Sequence, residues 1–154
     1  MSAQADLKAA FAEMTGFQEN RFHPLVWIGG TPEIAEDVFI GGFSEVNAKG
    51  ARVRIGKGCD IASFVSINCA DSHRKCIGLS DEIDRADIEL GNHVFVGSHS
   101  FIKGGARIGH NSVIAAGTIV GAGDIPPYSL VFGNPAQIKP GYYAPGHNDV
   151  SDQP

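Results

Sequence analysis

One histidine stands out among the side chains that could move a proton. His73 lies in a polar stretch of the chain and follows Asp71 by two residues. Imidazole is suited to act as a general base because its unperturbed pKa is near 6.5. A carboxylate beside it can hold the ring in one tautomer through a hydrogen bond. We therefore treat His73 and Asp71 as a candidate catalytic pair. The alternatives are a solvated loop histidine and an aspartate that only forms a turn.

The other histidines and the cysteines give weaker signals. His93 and His99 lie at equivalent outward points of the repeat described below, and His110 lies in a bend, so we expect exposed side chains there. Cys59 falls at an inward position and is expected to be a core thiol. Cys69 and Cys76 flank His73, but a nucleophilic cysteine needs an activating environment that the sequence does not reveal.

A six-residue period dominates the second half of the chain. Aliphatic residues recur at every sixth position, and small residues follow most of them. These positions are Leu90, Val96, Ile102, Ile108, Ile114 and Val120. Shorter runs with the same step are Ile55, Ile61, Ile67 and Ile34, Ile40, Val46. A helix would place its apolar residues three and four apart. The period instead predicts short strands joined by tight bends.

Each repeat is expected to point two side chains inward. The residue two positions before each aliphatic residue lies on the same side of a short strand. In the long run these residues are Ile88, Val94, Ser100, Ala106, Ser112 and Thr118. Stacked units of this kind bury a continuous core and pair their backbones between coils. The predicted fold class is therefore all-β, a parallel β-helix.

Breaks in the period mark the remaining segments. The step from Ile67 to Leu90 is twenty-three residues, which predicts an extruded loop over 69–87, and long loops of this kind often carry function. Residues 6–14 have the pattern of a short amphipathic helix. We divide the chain into an N-terminal helical segment (1–27), the β-helix (28–125), which we expect to end at Ile125, and a C-terminal segment with a tail (126–154).

Composition excludes several classes of function. The net charge is −5 and lysine and arginine form no run, which argues against nucleic acid or an anionic membrane as the main partner. The first twenty residues hold no apolar signal-peptide core, and the three cysteines form no CxxC pair. We therefore expect a soluble cytoplasmic protein.

Three segments resemble the hexapeptide-repeat acyltransferases, in the branch that acts on sugars and polysaccharides. They are the regular block 90–120, the segment 124–136 (DIPPYSLVFGNPA) after the last coil, and Asp71-Ser72-His73 at the start of the loop. The resemblance implies a left-handed β-helix and a homotrimer with sites between subunits. The chain departs from the branch at Phe95, where a tryptophan is common, and at Gln137, where a basic residue is common.

The resemblance also implies a reaction and the residues that carry it out. An acetyl group would pass from acetyl-CoA to a hydroxyl or amino group of a small-molecule or saccharide acceptor, with His73 as the general base and no metal ion. The coenzyme would lie along the late coils, where small residues permit close approach. The positions that match the family's coenzyme contacts are Ser98, Ala116, Gly121 and Ala122, with Lys139 as the nearest basic residue of the C-terminal segment.

Two other functions remain open from the sequence. The γ-type carbonic anhydrases share this architecture and bind zinc through three histidines between subunits, two of them five residues apart. Here His93 and His99 are six residues apart, which places them on different faces. A silent β-helix scaffold is the second alternative, although a scaffold would not need the loop that carries His73.

Overall fold

A computed structural model, which describes residues 2–147, shows three parallel sheets that run along one axis. Sheet A contains β1 (Trp27–Gly30), β4 (Glu45–Ala48), β7 (Ser66–Asn68), β12 (Phe101–Lys103) and β15 (Ile119–Val120). Sheet B contains β2 (Glu33–Ile34), β5 (Val53–Ile55), β10 (Ile88–Leu90), β13 (Ala106–Ile108) and β16 (Gly123–Ile125). Sheet C contains β3 (Phe39–Ile40), β6 (Asp60–Ile61), β11 (Phe95–Val96), β14 (Val113–Ile114) and β17 (Leu130–Phe132), with β18 (Gln137–Lys139) at its edge. The chain turns at three corners, which we name AB, BC and CA after the sheets that they join.

The aliphatic positions of the repeat stack directly on one another in the core. Leu90 pairs with Ile55 in the preceding coil and with Ile108 in the next, and all three are at most 3% exposed. Each such side chain contributes about 1.5–3 kcal/mol when it is buried. The register confirms the predicted parallel β-helix.

The second inward position of each repeat is also buried, including the polar residues found there. Ser100, Ser112 and Thr118 are all at most 2% exposed. Their hydroxyls donate to carbonyl oxygens of the chain, such as Ser100 Oγ to Ala115 O at 3.0 Å. Because buried hydroxyls are costly without a partner, these bonds explain how polar residues can occupy the core of the coil.

The predicted extruded loop forms a small hairpin at the AB corner. Its base is the antiparallel pair β8 (Ala70–Asp71) and β9 (Asp84–Arg85), and the short helix α2 (His73–Cys76) follows β8. Arg74 ties the hairpin through a contact of 3.2 Å to Asp84. Cys69, which we placed in the loop, is instead a core residue that is 2% exposed, so the chain leaves the coil one residue later.

The N-terminal helix is confirmed and is longer than expected. Helix α1 (Ala3–Thr15) begins where the Ser2 hydroxyl accepts from the Ala5 amide at 3.3 Å, a typical N-cap. None of its side chains is buried. Phe11 packs edge-on against Phe17 at 5.7 Å, but the rest of the predicted apolar face remains exposed.

The coil continues past Ile125, where we expected it to end. Pro126 and Pro127 form a BC corner, and β17 then pairs with β14 in the parallel register of sheet C. Strand β18 closes that edge in the antiparallel direction. The end of the C-terminal tail, residues 148–154, lies outside the described residues.

Candidate active site

The structure brings His73 and Asp71 into direct contact at the base of the extruded loop. His73 Nδ1 lies 2.6 Å from Asp71 Oδ1, and the His73 amide donates to the same oxygen at 3.1 Å. An ionised carboxylate can only accept, so Nδ1 carries the proton and the neutral ring has its lone pair on Nε2. The His73 side chain is 61% exposed, and within residues 2–147 no group is bonded to Nε2. This nitrogen can therefore accept a proton from a bound molecule.

A third residue holds the carboxylate of Asp71. Lys103 Nζ lies 3.2 Å from Asp71 Oδ2. The hydrogen bonds from the His73 side chain and amide, followed by the one from Lys103, hold the pKa of Asp71 well below its usual range. Sequence reasoning assigned no role to Lys103, although it is the one large residue among the small ones that follow the aliphatic positions of the long run.

A separate groove, which we name the C groove, lies on sheet C beside the CA corner. It encloses about 530 Å³ and its walls include Phe95, Gly97, Ser98, Ala116 and Tyr143. A Cβ at Gly97 would collide with the backbone of Ala116, so adjacent coils approach closely here. Two of the candidate coenzyme residues, Ser98 and Ala116, thus lie together. Tyr143 comes from the C-terminal segment, and nothing in the sequence singled it out.

The other three candidate coenzyme residues do not line this groove. Gly121 and Ala122 follow sheet A and lie at the AB corner, where Ala122 stacks over Gly105. Lys139 lies on the edge strand β18 of sheet C, with Nζ 5.4 Å from the centre of the Phe132 ring. One chain therefore presents the candidates at two corners and one edge.

The remaining titratable candidates fall into structural roles. His93 and His110 are exposed at the BC corner, and His110 Nδ1 lies 2.9 Å from Asn111 Oδ1. Cys59 is 2% exposed, as expected of a core thiol, and burial raises its pKa. In the described part of the chain no three His, Cys, Asp or Glu side chains are grouped so that they could hold a metal ion. The same residues include no helix that is long and apolar enough to cross a membrane.

His99 differs from the other corner histidines because it belongs to a stack of rings at the CA corner. The Phe43 and Phe64 rings lie 4.9 Å apart at an angle of 6°, and the Phe64 and His99 rings lie 4.9 Å apart at 7°. We name these three residues the CA ladder. All three have positive φ angles of 60–65°, which are unfavourable for large residues. Stacking offsets part of this cost.

The outward surfaces of the three sheets differ in character. Sheet B carries a row of alternating charges in which cross-strand partners have opposite sign. The row consists of Glu33, Arg54, Glu89, Arg107 and Asp124. Within residues 2–147 no large exposed apolar side chain lies on sheet B, whereas sheets A and C and the CA corner carry several. They are Phe39, Phe43, Phe64, Phe95, Ile119 and, on the edge strand β18, Ile138.

Sequence comparison identifies the repeat. Residues 87–122 match the family model described as bacterial transferase hexapeptide (six repeats). Galactoside O-acetyltransferase of Escherichia coli K12 is 49% identical over 51 residues, which cover 33% of this chain and 25% of that protein. The aligned part thus spans about a quarter of the length of this relative.

Solved structures extend the likeness over most of the chain. A galactoside acetyltransferase in complex with coenzyme A has a TM-score of 0.55 at 27% identity, over 90% of this chain and 70% of that one. A variant of AntD, an N-acyltransferase from Bacillus cereus, has a TM-score of 0.67 at 16% identity, over 78% of this chain and 68% of that one. The fold that they share confirms the left-handed coil. In the repeats of residues 87–122 and in its left-handed parallel β-helix, the chain therefore resembles the bacterial hexapeptide-repeat transferases.

Proposed function

We propose that the protein transfers an acetyl group from acetyl-CoA to a hydroxyl or amino group of a saccharide, with His73 as the general base. The observation that carries the proposal is the contact between His73 Nδ1 and Asp71 Oδ1 at 2.6 Å. This contact leaves Nε2 as a basic, accessible nitrogen at the root of a loop that projects from the coil. A purely structural histidine would not need a fixed tautomer with an open acceptor face.

The proposed reaction uses this nitrogen twice. Nε2 takes the proton of the acceptor group as the acceptor oxygen or nitrogen bonds to the thioester carbonyl carbon. The tetrahedral intermediate then collapses, the carbon–sulfur bond breaks, and the thiolate takes the proton from Nε2. The products are the acetylated saccharide and coenzyme A. Asp71 remains ionised throughout and stabilises the imidazolium that forms between the two steps.

The C groove fits the acyl donor best. Its small wall residues at Gly97, Ser98 and Ala116 permit close approach of a narrow pantetheine arm to the backbone. Lys139 on the edge strand of the same sheet supplies a cation for the coenzyme phosphates. The galactoside acetyltransferase of similar fold was solved with coenzyme A. Gly121 and Ala122 then belong to the wall that a neighbouring subunit contributes.

A homotrimer would unite the two halves of the site. Sheet A separates the AB corner, where His73 projects, from the CA corner beside the C groove. The apolar outer surface lies on sheets A and C, and the charged row of sheet B suits a solvated face. At the tip of the extruded loop Ile77 and Leu79 are 65% and 68% exposed. These side chains would contact the neighbour and bring His73 to its C groove.

Saccharides are the proposed acceptors because of the relatives. The E. coli protein is named a galactoside O-acetyltransferase, and the AntD structure holds an amino sugar nucleotide together with coenzyme A. The three free cysteines fit a reducing compartment, which agrees with the proposed cytoplasmic location.

The test of this function is an acceptor screen. The purified protein is incubated with acetyl-CoA and a panel of galactosides, glucosides, maltose and amino sugars, and release of the free thiol is followed. The proposal expects thiol release that depends on at least one saccharide and a product heavier by one acetyl group. Thiol release that no saccharide stimulates would contradict it.

A further inference from the structure

The CA ladder has a fourth position that carries no ring. Gly117 follows His99 by one coil and has a φ of 71°, close to the 61° of His99. Its amide donates to Ser98 O at 2.9 Å, so the corner is built in the same way as those below it. In the described part of the chain nothing lies within 4 Å of where a Gly117 Cβ would be. Phe64 thus stacks on one face of His99, and on the other side the space where a Gly117 side chain would begin is empty.

The spacing of the ladder fixes what this position can hold. Successive rings are stacked 4.9 Å apart and nearly parallel, so the next place above His99 suits one flat ring. A molecule that binds there must offer a flat, weakly polar face to the imidazole. One face of a pyranose does so because its C–H bonds point toward the ring, while its hydroxyls point outward.

The position lies between two grooves with different walls. Ser98 and Ala116 line the C groove on one side of the corner. His99 lines the other, which we name the A groove, of about 540 Å³. Its walls include Trp27, Phe64 and Glu45, whose carboxylate accepts from Ser66 Oγ at 2.5 Å. Aromatic rings beside a carboxylate suit a saccharide, because hydroxyls can donate to the oxygens that Ser66 leaves free.

We propose that the sugar ring of the acceptor stacks on His99 at the Gly117 position, with the rest of the saccharide in the A groove. The inference rests on the proposed function, in which the acyl donor occupies the C groove. It assigns His99 as a specificity-determining residue and the CA ladder as its support. A ring at this position has one edge toward the donor side, where a hydroxyl could be acetylated.

The experiment fills the open position and measures binding apart from turnover. Gly117→Phe adds a fourth ring in a backbone conformation that Phe43 and Phe64 already adopt. Gly146→Phe is the matched control, because Gly146 also has a positive φ (90°) and open space around its Cβ position. Trp27, the only tryptophan, lines the A groove, so its fluorescence reports on titration with methyl galactoside, methyl glucoside or maltose. Calorimetry measures the Kd for coenzyme A.

We expect Gly117→Phe to fold with a Tm within about 5 °C of the unaltered protein. Its Kd for the saccharide that the unaltered protein binds should rise at least about 10-fold, because the added ring covers His99 and the sugar loses that contact. The Kd for coenzyme A should change less than about 3-fold, and Gly146→Phe should change neither constant. His99→Ala removes the ring on which the sugar stacks and adds no side chain that could block the site. It should weaken saccharide binding several-fold.

Four results would overturn the proposal. The first is unchanged saccharide binding in both Gly117→Phe and His99→Ala, and the second is a loss of coenzyme A binding in Gly117→Phe equal to its loss of saccharide binding. The third is that Gly117→Phe weakens the binding of a nucleoside diphosphate and not that of a saccharide. The fourth is that Gly117→Phe no longer forms the oligomer in light scattering. Failure of the proposed function looks different. In that case the unaltered protein binds a pyranoside, Gly117→Phe abolishes the binding, and no acetyl transfer occurs in either.

Discussion

Lys103 Nζ lies 3.2 Å from Asp71 Oδ2, on the carboxylate oxygen that does not contact His73. The carboxylate of Asp71 thus joins the coil to the extruded loop, because Lys103 ends β12 of sheet A and His73 begins the loop helix α2. The lysine fixes the carboxylate, and the carboxylate fixes the imidazole. This chain of contacts explains how a loop that leaves the coil can still present His73 in one orientation.

Asp71→Asn should lower kcat by about 10- to 100-fold with little change in coenzyme affinity. The amide group of asparagine can donate to Nδ1, which moves the ring proton to Nε2 and removes the lone pair that accepts the acceptor's proton. Asp84→Asn is the control in the same hairpin, because Asp84 contacts Arg74 and not His73. Equal rates for the two variants would mean that Asp71 only forms a turn.

The lowered pKa of Asp71 leads to a prediction about pH. Because the pKa of Asp71 is lowered, the contact of its carboxylate with His73 is fully formed above the ordinary aspartate pKa near 4. The contact is lost only as the pH falls through the lower pKa of the folded protein. From pH 8 to about pH 4, Asp71 should therefore stay ionised and add no step of its own to the pH dependence of activity. A plot of log kcat/KM against pH should rise with a slope of one on its acidic side. A slope of two in this range would show that a second group titrates with the base.

Much of the fold could be predicted from the sequence because the repeat is local. Leu90, Ile108 and their equivalents are six residues apart, so one regular pattern gives both the strands and their register. The CA ladder could not be predicted in this way. The small insertion after Val46 and the extruded loop place Phe43, Phe64 and His99 at separations of 21 and 35 residues, and no period reveals the stack.

The candidate site was only partly predictable for a similar reason. Asp71 and His73 are neighbours in the chain, so their contact follows from local geometry. Lys103 reaches Asp71 from the next coil, and Tyr143 reaches the C groove from the far end of the described chain. Both contacts depend on where the loop and the C-terminal segment fold back, and these segments have no repeat to guide prediction.

Ile108→Asp should abolish cooperative folding. Ile108 is 3% exposed between Leu90 and Ile125 in adjacent coils. Losing its apolar burial and burying an unpaired carboxyl group instead should take up most of the roughly 5–15 kcal/mol that stabilises a domain. Circular dichroism during heating measures the transition. Arg107→Gln is the control on the opposite side of the same strand and should cost about 0.5 kcal/mol or less, because its pairing with Asp124 is exposed. A stable Ile108→Asp protein would refute the register.

Mixed oligomers test whether the site is shared between subunits. His73→Ala and Ala116→Trp subunits should each be inactive alone, because one lacks the base and the other has a blocked C groove. After subunit exchange at equal amounts in a trimer, about a quarter of the junctions combine two intact halves. Activity should recover to about that fraction of the unaltered level. No recovery despite proven exchange, or an active monomer in light scattering, would contradict a shared site.

The rate of acetyl transfer by His73→Asn tests whether His73 is the general base. Asparagine can keep the hydrogen bond to Asp71 but cannot take up a proton at neutral pH. The variant therefore removes the basic group and leaves the geometry of the loop in place. Thiol release from acetyl-CoA is measured with the best acceptor from the screen, and coenzyme A binding is measured by calorimetry. If His73 is the base, kcat should be lower by about 10²- to 10⁴-fold with coenzyme affinity unchanged. A kcat equal to that of the unaltered protein would show that His73 takes no part in the reaction.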